Sequence, residues 1–158
     1  MGKSEALLWS IAFPGFGQLI DRQYIKGVLL VILEIVINVQ AHFNDIIVLS
    51  FNGHIHAAIE AVNIQWLMFY PCVYFFSMWD AYRNAKGEKD DGAFLPFVFS
   101  AYFVTLGLIF SSEIRLFGIL FGPVFLPMVF LIPGLIFGLI IKFFMNKKRQ
   151  PAPDSSKE

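Results

Sequence analysis

The sequence predicts an all-α, multipass transmembrane bundle of about four spans, preceded by an N-terminal segment that is either re-entrant or a short kinked helix. Three observations predict it. Of 158 residues, 57% are hydrophobic and 19 are phenylalanine, more apolar surface than one aqueous domain of this length ordinarily hides. Several stretches approach the roughly 20 apolar residues that cross a hydrocarbon layer about 30 Å thick. Lysine and arginine cluster between those stretches rather than within them, as in multipass proteins. The lipid bilayer is thus the chain's principal solvent, with residues 1–145 forming one membrane domain and 146–158 a disordered cytoplasmic tail.

Residues 6–20 are apolar, but Pro14, Gly15 and Gly17 interrupt them, which argues against a cleaved signal peptide and leaves two forms, a kinked span or a half-inserted hairpin. Asp21, Arg22 and Lys26 then make a polar turn before the first full span, Gly27 to about Ala41. The outer insertion, 42–65, has no lysine or arginine; Ile55, Ala58, Ile59 and Val62 recur at helical spacing within it and suggest a short surface helix. A second span, 66–79, is expected to kink at Pro71. The polar loop 80–92 leads to a C-terminal helical pair within 94–144, joined by a brief link, and Pro123, Pro127 and Pro133 predict that its last helix is bent or broken.

Charge sets the orientation. Arg22 with Lys26, then Arg83, Lys86 and Lys89, and finally Lys147, Lys148 and Arg149 fall on one side if the spans alternate, and that side should be the cytoplasm, holding the C-terminus. With twelve basic and twelve acidic residues, the balance gives no reason to expect a nucleic-acid partner. The lone Cys72 cannot form an intrachain disulfide.

Four constellations could carry chemistry. Glu34, Asn38 and His42 are spaced by four and would stack on one face of the first span; an ionisable group there is costly and suggests either an ion path or a hydrogen bond to another helix. His54, His56 and Glu60 are candidate metal ligands, although no HExxH pattern or cysteine cluster accompanies them, and no cofactor is expected. Pro14, Gly15, Gly17 and Gln18, with Asp21, Arg22, Lys26 and Gly27, form a turn that lets backbones approach closely and either shapes a hairpin or lines a cavity. Trp79, Asp80, Tyr82 and Arg83 suit an anchor at the inner end of the second span, with Asp80 able to pair with Arg22, Lys26 or Arg83. No nucleophile elbow, phosphate loop or nucleotide fingerprint appears, so nothing supports an enzyme.

The run Phe13-Pro14-Gly15-Phe16-Gly17-Gln18, then Asp21-Arg22-Gln23-Tyr24 and Lys26-Gly27, followed by Trp79-Asp80-Ala81-Tyr82-Arg83, resembles the bacterial TM-two-type membrane hairpin over about residues 5–85. The resemblance implies two helices joined through a glycine-containing turn, in a small inner-membrane protein of no defined reaction. The functional expectation is an interaction, assembly or regulatory partner of another membrane component, or a self-associating one. The alternative is a small ion or solute transporter or channel using Glu34 and Asn38.

Overall fold

The computed structural model describes residues 1–88, 90 and 92–149, and it is built mostly of helices. The amino-terminal segment doubles back on itself. Helix α1 (Lys3–Ala12) ends at Phe13, Gly15 adopts a φ of 97°, and α2 (Phe16–Ile20) returns in the opposite sense to the turn at Asp21. A positive φ of that size favours a residue without Cβ. A Cβ on Gly15 would also lie 2.6 Å from the Gly27 carbonyl oxygen, so glycine is required there twice over.

Helix α3 (Tyr24–Ala41) is an 18-residue apolar rod, about 27 Å long at 1.5 Å per residue. His42, in a left-handed conformation, stops it and redirects the chain into α4 (Phe43–Phe51). Two shorter helices follow, α5 (Ile55–Ala61) and α6 (Ile64–Leu67). The insertion was expected to hold one surface helix in its second half. It holds three helical pieces, because Ile46, Ala58 and Leu67 are buried together with Ala41, Leu108 and Val124 in a small core that caps one end of the bundle.

Helix α7 (Phe69–Asn84) descends from that cap. Pro71 has no N–H to give the Leu67 carbonyl, and the helical run is interrupted at Met68, one turn before the proline, which is where the sequence places the kink. Helix α8 (Phe94–Ile109) then rises antiparallel to α9 (Gly122–Arg149). Between them, β1 (Arg115–Leu116) pairs with β2 (Ile119–Leu120), and the connecting residues Phe117 and Gly118 both have positive φ, 53° and 80°. Two such residues in a two-residue loop match a type I′ hairpin turn.

The last helix starts at Gly122, just after the hairpin. It is continuous through Pro127 and Pro133 rather than broken there. It also continues through Arg149, so the polar segment from residue 146 begins as helix; residues 150–158 of the expected tail, and Lys89, lie outside the described residues.

The α8–α9 hairpin is the most extensive helix pairing in the chain. Small residues make it so close. A Cβ on Gly138 would fall 2.5 Å from the Pro96 Cα, one on Gly134 would fall 2.9 Å from the Phe99 oxygen, and one on Gly107 would fall 2.8 Å from the Pro127 Cα. Gly134 and Gly138 are four apart, the small-xxx-small spacing that lets helix backbones touch where hydrocarbon gives no hydrophobic drive. Two helices, Tyr24–Ala41 and Gly122–Lys148, are long and apolar enough to cross a membrane.

Gly138→Leu should therefore force α8 and α9 apart at a cost of about 1–3 kcal/mol or more. Gly2→Ala, where a Cβ meets nothing within 4 Å, should be neutral. Detergent-denaturation midpoints of the two variants measure the difference, and equal midpoints would contradict this packing.

Candidate functional site

Two places concentrate polar groups inside the bundle. The first joins two constellations that lie some 60 residues apart in sequence, as the hydrogen-bond separations of 59 and 62 show. Asp80, only 6% exposed, stands one helical turn before the end of α7. One of its carboxylate oxygens accepts from Lys26 Nζ at 2.9 Å and from Asn84 Nδ2 at 3.1 Å; the other accepts from Gln18 Nε2 at 3.2 Å. Gln18 Nε2 also donates to the Ser77 carbonyl at 2.9 Å, and Gly15 N–H donates to Ser77 Oγ at 3.0 Å. Of the partners open to Asp80, the fold selects Lys26. Arg83 instead lies over the Trp79 ring, 5.2 Å from its centroid, while Arg22 is exposed in a left-handed conformation.

The glycines of the turn allow this clasp to close. A Cβ on Gly17 would meet Ala81 Cβ at 2.9 Å, and one on Gly27 would meet the Leu19 side chain at 2.6 Å. Pro14 is fully buried in the same turn. Ala6, Ala81 and Ala85 pack α1 flat against α7, Lys3 lies over the Tyr82 ring at 4.9 Å, and Lys86 N–H donates to the Met1 carbonyl at 3.1 Å. Asp21 stays at the surface of the turn, accepting from Gln23 Nε2 at 3.2 Å. Both limbs of the opening hairpin thus end beside the last turns of α7, and Tyr74, donating to the Ile11 carbonyl at 2.7 Å, marks the level at which the chain turns back.

The second place is a cavity of about 360 Å³ where α1, α3, α4, α7, α8 and α9 converge. Its wall is apolar apart from Glu34, Tyr70 and Tyr74. Glu34 is 5% exposed, its carboxyl faces the Tyr70 hydroxyl, and its Oε2 has no hydrogen-bond partner among the described residues. Of the expected stripe, Glu34 and Asn38 stand one turn apart on α3, while His42 caps its end. Asn38 is half-buried and donates to Asn44 Oδ1 at 3.3 Å, and the exposed His42 lies 3.8 Å from Asp45.

Tyr70 and Tyr74 are the site residues that sequence reasoning missed. The signal was present, since they are four apart on the helix that also bears Asp80, but a polar tip among so many aromatics does not stand out. His54, His56 and Glu60 are exposed on and beside α5, and among the described residues no cluster of three or more histidine, cysteine or acidic side chains could hold a metal ion. No family model matches the chain, and no curated protein or solved structure matches it.

Removing either member of the clasp should have unequal effects. The Lys26 side chain is 54% exposed, so Lys26→Ala should cost about 0–1 kcal/mol. Asp80→Ala also leaves one N–H of the buried Gln18 amide without its acceptor and should cost about 2–4 kcal/mol. Equal losses in a double-mutant denaturation cycle would mean that the ion pair alone holds the turn.

Proposed function

We propose that the chain is a multipass membrane protein acting as an interaction, assembly or regulatory partner of another membrane component. The observation that supports this most is the outward face of α3 and α9. Only 28% of each apolar window is buried, too little for core helices of a water-soluble domain. Ile25, Ile32 and Val39 on α3, and Ile132, Ile136 and Phe143 on α9, are all more than half exposed. That much bare aliphatic and aromatic surface suits lipid or another helix.

On this reading α3, α7, α8 and α9 cross the bilayer. Helices α7 and α8 have 16 residues each, so a slightly thinned bilayer or the extension of α7 by α6 would accommodate them. The amino-terminal hairpin enters and returns, since ten residues of α1 reach only about 15 Å, half the hydrocarbon thickness. The cytoplasmic side of a bacterial inner membrane would then hold the Asp80 clasp, the loop 85–92 and the end of α9. The docking of the Phe13–Gln18 turn onto Asp80 also supports reading residues 5–85 as a TM-two-type hairpin with an outer insertion, because the segments that bear the resemblance touch each other.

Topology is testable by thiol labelling in a Cys72→Ser background. An impermeant maleimide should label His54→Cys and Ser112→Cys in cells whose inner membrane is intact, and Lys86→Cys only after that membrane is opened. Labelling of Lys86→Cys alone in intact cells would invert the topology, and release of the chain by alkaline carbonate would end the membrane reading. Photocrosslinkers at Ile32 and Ile136 should give discrete protein adducts in cells. Recovery of lipid adducts and free monomer only, from both positions, would remove the partner role.

A further inference from the structure

Beyond the assembly reading, and independent of which component the chain joins, we infer that the cavity around Glu34 is a binding site for a hydrophobic amine, with the ligand's ammonium group on the Glu34 carboxyl and its apolar body against the aromatic wall.

The carboxyl defines the head of the ligand. Glu34 is almost wholly buried, yet its Oε2 has no hydrogen-bond donor among the described residues. A buried acceptor in that state is costly and calls for a partner from outside the chain. Among the described residues, no lysine, arginine or histidine lines the cavity. The nearest basic residue along α3, Lys26, is two turns away and engaged with Asp80 at 2.9 Å. An anionic ligand would face an acidic group with no compensating charge. A purely aliphatic ligand would leave the carboxyl as unsatisfied as before. A donor-bearing cation satisfies it.

The walls define the body. Phe43 and Tyr70 have ring centroids 4.6 Å apart, and Tyr70 and Tyr74 are stacked at 5.6 Å, so a run of aromatic rings lines the cavity that holds the carboxyl. Such faces attract an ammonium group and also pack against hydrocarbon. A volume of about 360 Å³ admits a ligand of one or two rings. A metal ion is a poor fit, because the cavity offers one carboxyl and two phenols among apolar groups.

The test uses the full chain in dodecyl maltoside micelles, with 2-naphthylmethylamine as probe, uncharged 2-naphthylmethanol as its matched neutral form, and protein-free micelles as the partition blank. The amine should bind saturably with one site per chain and about ten-fold or more tighter than the alcohol. Glu34→Gln should weaken the amine about ten-fold or more while moving the alcohol less than about two-fold. Amine and alcohol binding equally to the native chain would overturn the inference, as would amine uptake no greater than in the blank. Should Glu34→Gln fail to fold by circular dichroism, Val104→Trp, which fills the cavity and keeps the carboxyl, should abolish saturable amine binding, and unchanged binding in it would be equally fatal. Carbonate extraction and crosslinking read the membrane and partner roles separately, so failure here leaves those untouched.

Discussion

A carboxylate that is almost out of solvent must be met by donors, and the Asp80 side chain organises half of this molecule by that requirement. Its oxygens receive Gln18 from α2, Lys26 from α3 and Asn84 from its own helix, so one residue sets the height of the amino-terminal hairpin, the first long helix and α7 relative to each other. Each contact alone is modest in water. Together they are directional, and in surroundings poor in water the alternative is a bare charge. The glycines at 15, 17 and 27 belong to the same constraint, because any side chain there would hold the turn away from the donors it must present.

The other half is organised without charge. Helices α8 and α9 close on each other through Gly107, Gly134 and Gly138, whose missing side chains admit the opposing backbone near Pro127, Ser100 and Pro96. Close backbone approach gives the two helices dense van der Waals contact along their length. Helix α9 stays continuous through Pro127 and Pro133 while packed along α8.

These two assemblies meet beneath the cap of α4, α5 and α6 and leave the Glu34 cavity between them. The cavity belongs to no single helix pair. Glu34 comes from the half built on the clasp, the facing Val104 and Leu108 come from the half built on glycines, and Phe43 and Ile47 of the cap close the remaining side.

Composition and local pattern were sufficient for the helical class, for the run of apolar segments, for the breaks at Pro14 and Pro71, and for the suspicion that Asp80 would seek a basic partner. Those features depend on neighbours within about one helical turn or on bulk solvent preference, both of which can be read along a chain. Pairing was different. Nothing local distinguishes Lys26 from Arg22 or Arg83 as the partner of Asp80, and the tertiary fold decided it by placing Arg83 on Trp79 and turning Arg22 outward. The surroundings of Glu34, Asn38 and His42 were decided in the same way: α3 ends at Ala41 with His42 in a left-handed turn, and Glu34 faces Tyr70 of α7. Long-range contacts choose among locally equivalent residues because their geometry depends on where whole helices pack, and that information is spread over the entire chain rather than written at any one position.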